Sequence, residues 1–376
     1  MFLRRLFTIL LAGFALLGFV WAAVLFLTRP AEAPQDRTIP QRFELVVGEA
    51  KASRPSAVDY DRLDARLQAL MEDPAMVGLA VAVVEDGEIR FAKGYGETIA
   101  GSGDPVTVDT VFRWASLSKG VAADMVDLLA HENRLSLHEP VNRHAGSLRL
   151  PGGNEATATV SDLLSHRLGL FAHAQDLRLE EGWDARYLRG TLGSLHNICA
   201  PGSCHAYQNV AYDAASEIVE RVTGRPYADE VRDRLFAPLG MRSASVTRDG
   251  LYRAPSWARP HVGGRNSPPV EVTDSYYRVP AAGGVNGSIG DLAFWMLAQM
   301  GAARDVLPES VIAAVQTPLV NTPRETSRRR KFRERTTGSA YGLGWRVIDY
   351  AGRRVIGHHG GVRGYRSMIL FDPERR

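Results

Sequence analysis

A chain of 376 residues, 45% hydrophobic and 23% charged, has the make-up of a globular protein long enough to bury one large core or two intimate ones. Its net charge of +3 is too small to argue for nucleic acid. Two cysteines, Cys199 and Cys204, with no second pair nearby, argue against a thiolate metal site.

The first thirty residues stand apart. Arg4 and Arg5 precede an uncharged run from 6 to 28, roughly the 20 residues that span a bilayer and longer than the roughly 7–15 of a cleaved signal core. Ala31-Glu32-Ala33 resembles a cleavage site, but it lies beyond the run and Pro34 follows it. Residues 1–29 therefore read as an uncleaved anchor, with the N-terminus inside and the body outside. In a bacterium this predicts a single-pass inner-membrane protein facing the periplasm. In that oxidising compartment Cys199 and Cys204 are expected to close a small loop, two free thiols being the alternative.

Residues 30–57, rich in Pro, Ala and charge, read as a linker with one short extended piece at 43–47. The folded domain is expected over 58–376. Leu63, Leu67, Leu70 and Met71 recur at helical spacing. A buried strand at 78–84, the turn Asp86-Gly87 and a return strand at 89–95 predict a hairpin. A helix is expected from about Ser116 to His131. Between 136 and 335 the pattern is mainly helical, with helices at 160–166, 212–222, 227–236, 288–300 and 309–317. The stretch 322–337 carries six arginines and Lys331 and reads as a solvated loop. Strand character returns at 341–347, 354–357 and 366–371. Strands at both ends around a helical middle predict an α/β fold of the α+β type. One antiparallel sheet, built from 58–135 and 338–376, would be flanked by helices and carry an inserted mainly helical domain.

The chemistry centres on Ser116-Leu117-Ser118-Lys119. At a helix start, Lys119 lies one turn along from Ser116 and its amine can reach the serine hydroxyl, which is a poor nucleophile without a neighbouring base. A helix N-terminus also favours an oxyanion. With four lysines in the chain, chance supplies an S-x-x-K about one time in four, so the motif alone decides nothing. Three further segments raise it above chance. Tyr207-Gln208-Asn209 follows a Pro201-Gly202 turn, the glycine-rich stretch Pro280 to Ser288 leads into a helix, and His358-His359-Gly360-Gly361 stands between two strands.

The order S-x-x-K, Y-x-N, H-x-G resembles the penicillin-recognising serine hydrolases, which comprise class C β-lactamases, DD-peptidases, D-aminopeptidases and esterases. Residues 160–170, 212–241 and Tyr341-Gly342-Leu343-Gly344-Trp345 are similar to further signatures of that family. The resemblance implies a β-lactamase/transpeptidase-like fold and an acyl-enzyme mechanism without metal or organic cofactor. Ser116 would be the nucleophile and Lys119 would help remove its proton. Tyr207 would be the general base and proton shuttle, and Asn209 would orient substrate and Lys119. The backbone N–H groups of Ser116 and Gly361 would form the oxyanion hole. The substrate would be a small molecule or peptide with an amide or ester bond. A non-catalytic, ligand-binding or scaffolding member is the alternative, against which the intact Ser, Lys, Tyr and Asn argue.

Two departures stand out. His358 occupies the position where β-lactamases carry lysine, so attraction for a substrate carboxylate is expected to be weaker and to vary with pH as the imidazole titrates. Family members also continue with one more strand and a long helix, whereas this sequence stops at Arg376. Either it is truncated or its sheet lacks a strand and exposes apolar surface.

Overall fold

The computed structural model describes residues 41–45, 56, 58–328 and 334–375. The expected anchor at 6–28, most of the linker and the basic residues at 329–333 lie outside them. Residues 40–376 form one compact unit.

Helix α1 (Tyr60–Leu70) starts at Asp59, whose carboxylate accepts the Arg62 N–H. Strands β1 (Gly78–Glu85) and β2 (Glu88–Gly96) form the expected hairpin. Its turn residues Asp86 and Gly87 have φ of 53° and 75°, the left-handed pair that suits the twist of a two-residue connection. Strand β3 (Phe112–Arg113) leads into a single 3₁₀ turn, Ala115–Leu117, and then α2 (Ser118–His131).

The region 136–335 is mainly helical among its described residues. It contains α3 (Val160–Leu164), α4 (Asp176–Glu180), α5 (Ala185–Thr191), α6 (Ala214–Thr223), α7 (Tyr227–Val231) and α8 (Arg248–Tyr252). Then come α9 (Pro280–Gly283), the short β4 (Asn286–Gly287) paired with β3, α10 (Ile289–Gln299) and α11 (Glu309–Gln316). Strand β5 (Val320–Asn321) and α12 (Pro323–Arg328) close the region. Capping boxes at Thr159/Asp162 and Ser288/Asp291 start α3 and α10, and Gly224 at φ 74° ends α6.

Strands β6 (Thr336–Tyr341), β7 (Arg346–Tyr350), β8 (Arg353–Val362) and β9 (Tyr365–Phe371) continue β5 into a five-stranded antiparallel meander. Among the described residues the single sheet expected from the two chain ends is instead split, with β1–β2 and β3–β4 separate from the five-stranded sheet. Among the same described residues strand β1 pairs only with β2, and β9 only with β8. Among the described residues no strand lies between those two open edges, and α10 packs against both β1 and β9. On β9 the pattern alternates: Ile369 and Phe371 face the core, while Met368 and Leu370 are 68% and 47% exposed.

The core is organised around α2, buried from Ser118 through Leu129. A helix buried all round must be small where aromatic neighbours cross it. Trp114, Trp295, Trp345 and Phe371 meet ring to ring in sequence, first stacked, then tilted, then edge to face, with centroids 5.9, 4.8 and 5.7 Å apart. Gly120 lies where Trp295 and Trp345 meet: a Cβ there would stand 2.8 Å from the Trp295 ring and 3.0 Å from that of Trp345. One turn on, the buried Asp124 accepts N–H groups from Trp295 (2.8 Å) and Gln299 (2.9 Å), fastening α10 to α2. Gly120→Ala is therefore expected to destabilise. Helix propensity offers about 1 kcal/mol in its favour, but overpacking rigid rings costs about 1–3 kcal/mol. Thermal unfolding of the variant should show a lower midpoint.

Candidate active site

Ser116 sits in the 3₁₀ turn just ahead of α2, half-exposed among buried neighbours. The preceding Ala115 has φ 50°, a left-handed conformation that costs on the order of 1–3 kcal/mol in a residue with a Cβ. Surrounding bonds impose it. The Ser118 hydroxyl donates to Ala115 O (2.6 Å) and accepts from Val285 N (2.9 Å). Trp114 N donates to Val285 O, and Ser367 Oγ donates to Trp114 O at 2.7 Å. On the other side β8 comes so close that a Cβ on Gly360 would lie 2.3 Å from Trp114 O and 3.0 Å from Ser116 N. Only glycine fits there, which explains the glycine of the third motif. Exposed Gly361 is the next residue of that strand.

The Lys119 amine has no solvent exposure. It faces Asn209 Oδ1 at 2.7 Å, Ala282 O at 2.8 Å and Ser116 Oγ at 3.5 Å. Burial pulls its pKa down to about 7, with Asp176 opposing and Arg346 reinforcing the shift. Near neutral pH much of it is therefore free amine. An ammonium satisfies three acceptors, whereas the amine keeps two donors and turns a lone pair toward the serine.

Tyr207 arrives from the loop closed by the Cys199–Cys204 disulfide, whose Cα atoms are 6.3 Å apart. That loop docks through Gly202 N to Arg167 O and Ala206 N to His166 O. The Tyr207 ring lies 4.3 Å from that of His166 and 4.6 Å from the Lys119 amine. Burial raises its phenol, against a lowering by Arg346 and by a hydrogen bond with Ser116, so it rests protonated. Asn209, 5% exposed, gives its other end to Asp176.

The structure thus brings Ser116, Lys119, Tyr207 and Asn209 together, with β8 alongside. His358 departs from expectation. It is buried, with Nε2 3.0 Å from the Tyr341 hydroxyl and Nδ1 2.8 Å from His359 O. Burial, reinforced by Arg346 and Lys119, pushes its pKa well below the ordinary value, so the imidazole stays neutral. It therefore supports Tyr341 and carries no switchable charge for a substrate carboxylate. His359 points to the opposite, exposed face of β8.

Two residues escaped the motif-based reading. Arg346 directly follows the Tyr341–Trp345 signature, and that adjacency was the available signal. Its guanidinium, ion-paired with Glu325, is 5.5 Å from the Tyr207 ring and 5.6 Å from that of Tyr341. Asp176 had no sequence signal, since only the fold brings α4 to Asn209. Among the described residues no cluster of His, Cys, Asp or Glu is arranged to hold a metal ion.

A family model described as Beta-lactamase matches residues 63–376. The chain belongs to the β-lactamase family. This is a family of serine hydrolases of the β-lactamase, DD-peptidase and esterase type, and the fold is β-lactamase/transpeptidase-like. The chain is 28% identical over 308 residues to Unguisins hydrolase ungD' of Aspergillus campestris, covering 79% of this chain and 56% of that protein. The chain thus spans little more than half of that relative's length. It is 27% identical over 309 residues to D-alanyl-D-alanine-carboxypeptidase/endopeptidase AmpH of Escherichia coli K12, covering 79% and 77% respectively. The octameric penicillin-binding protein homologue from Pyrococcus abyssi superposes with a TM-score of 0.75 at 22% identity, over 85% of this chain and 72% of that one, a likeness of fold.

The pH dependence of this β-lactamase-family site should follow Lys119. If its free amine accepts the serine proton, acylation should rise as pH passes upward through about 7 and level off above. His358→Gln should leave that limb in place. A limb that moves with His358 in a pH–rate profile would assign the titration to the histidine instead.

Proposed function

We propose that the protein is a membrane-tethered serine hydrolase that opens an amide, peptide or ester bond through an acyl-enzyme on Ser116. The observation that carries this reading is the buried Lys119 amine 3.5 Å from the Oγ of the half-buried Ser116. Ser116 Oγ attacks the carbonyl carbon and its proton passes to Lys119. The carbonyl electron pair moves to oxygen, where the N–H groups of Ser116 and Gly361 stabilise it. Tyr207, resting as the phenol, protonates the leaving nitrogen or oxygen as the scissile bond breaks, and recovers its proton from Lys119. Asn209 holds Lys119 and the substrate amide. Water then attacks the ester, releasing the acid and restoring Ser116.

The neutral His358 favours amide and ester substrates over efficient β-lactam hydrolysis, because no permanent charge stands at that position. The names of the relatives, a hydrolase and a DD-carboxypeptidase/endopeptidase, agree with this class. The uncharged run at 6–28 behind Arg4 and Arg5 supports an inner-membrane anchor with the catalytic domain in the periplasm.

Labelling with an activated fluorophosphonate or a fluorescent penicillin tests the chemistry. Ser116→Ala should abolish covalent label in folded protein, and Tyr207→Phe should slow acylation by the penicillin, whose leaving nitrogen needs a proton, by on the order of 10²–10⁴. Persistent label in the alanine variant would remove Ser116 as nucleophile. Fractionation tests the tether: full-length protein should sediment with the inner membrane, and a soluble product shortened at its N-terminus would show cleavage instead.

A further inference from the structure

Asp176 belongs to none of the three motifs, yet it is the next link behind the base. Its Oδ2 accepts the Asn209 amide N–H at 2.7 Å and lies 2.8 Å from His173 Nδ1, while its Oδ1 is buried without a hydrogen-bond partner. The turn that delivers it holds His173 and Gln175 at φ of 60° and 68°, and His173 N donates to Tyr207 O at 2.8 Å. Asp176 is thus tied to the same short segment that carries Tyr207 and Asn209.

A carboxamide has a donor end and an acceptor end that a half-turn exchanges, whereas a carboxylate only accepts. Opposite Asp176, Asn209 must present its NH₂ to the carboxylate and therefore its oxygen to Lys119. Flipped, it would set NH₂ against the amine and strip Lys119 of its nearest acceptor, at 2.7 Å. The carboxylate also acts through its charge. The groups facing Lys119 are Arg346 from β7, which disfavours the ammonium, and Asp213, which favours it but is ion-paired with Arg189 at 2.6 Å. His166 and His358 are held neutral by burial. Tyr207 and Tyr212 present ring faces at 4.6 and 5.5 Å. Asp176 is the strongest charge favouring the ammonium.

We propose that Asp176 is the positioning residue of this site, locking the Asn209 amide with its oxygen toward Lys119 and supplying the counter-charge that the buried amine needs. The proposal rests on Ser116 and Lys119 acting as proposed above. It joins two effects that a pair of substitutions separates. Asparagine at 176 keeps an acceptor for the Asn209 N–H but loses the charge, while alanine loses both.

The test uses the full chain, with fluorophosphonate labelling rates recorded across pH and thermal unfolding measured alongside. Asp176→Asn should keep the high-pH plateau within a few-fold and move the acid limb to lower pH by on the order of one unit, because removing a nearby opposite charge makes the amine easier to deprotonate. Asp176→Ala should move the limb likewise and also lower the plateau by on the order of 10- to 100-fold through lost orientation. An acid limb that stays put in both variants overturns the proposal. So does an even loss of rate at all pH values that tracks a lower melting temperature, the mark of a merely structural role. A second readout stands apart from turnover. The chain has four lysines, Lys51, Lys93, Lys119 and Lys331, so isotope-labelled lysine resolves the Lys119 titration by NMR. A lower Lys119 midpoint in Asp176→Asn supports the proposal, and an unchanged one overturns it, even if wild-type protein fails to label at Ser116 and the hydrolase reading falls.

Discussion

An amine cut off from solvent governs the arrangement of this site. Burying an ammonium costs several kcal/mol even after relaxation, so Lys119 persists only where acceptors and counter-charge surround it, or where it gives up its proton. Both happen here. Asn209, Ala282 and Ser116 supply the acceptors, Asp176 the strongest favourable charge, and burial still brings the titration down to about 7. Each partner comes from a different part of the chain, so the site exists only when α2, α4, α9 and the Tyr207 loop are docked. The strained Ala115 and the close approach of Gly360 belong to the same constraint, since both fix where Ser116 stands relative to that amine.

Charge near Tyr207 is distributed differently from what the third motif alone implies. A lysine at position 358 would be a permanent cation; the histidine is instead neutral and engaged with Tyr341 and its own strand. The permanent cation beside Tyr207 is instead Arg346, whose charge is shared with Glu325. The phenol therefore feels a positive charge that burial more than offsets, and it rests as a proton donor. The two environments thus push the pKa of Lys119 down and that of Tyr207 up, a difference set by surroundings more than by residue type.

The sheets of β1 and β9 are linked through helix packing. Helix α10 is fastened to α2 by Asp124 and spans β1 and β9, whose facing edges are unpaired among the described residues. Ring contacts running from Trp114 through Trp295 and Trp345 to Phe371 tie the turn that carries Ser116 to the far end of the meander. Strain or cavities introduced there would reach Ser116 through Trp114, which shares backbone hydrogen bonds with the turn.

Local chemistry was legible in the sequence wherever it depends on neighbours along the chain. The Asp86-Gly87 hairpin, the length of α2, the spacing of Ser116 and Lys119, and the helical middle all follow from periodicity and turn residues a few positions apart. The motifs named Ser116, Lys119, Tyr207, Asn209, His358 and Gly361, and the fold brings Ser116, Tyr207 and Asn209 around the Lys119 amine with β8 beside them. What the sequence by itself did not contain was environment. Nothing in His358-His359 says that the first ring is buried against Tyr341 while the second faces out, because that depends on the register of β8 with β7 and β9. Periodicity could not show that β1 and β9 remain in separate sheets, since strand patterns specify faces but not partners. Asp176 lies 33 residues before Asn209 and Arg346 lies 139 residues after Tyr207. Protonation state, amide orientation and counter-charge are properties of contacts between distant segments, and only the tertiary structure decides them.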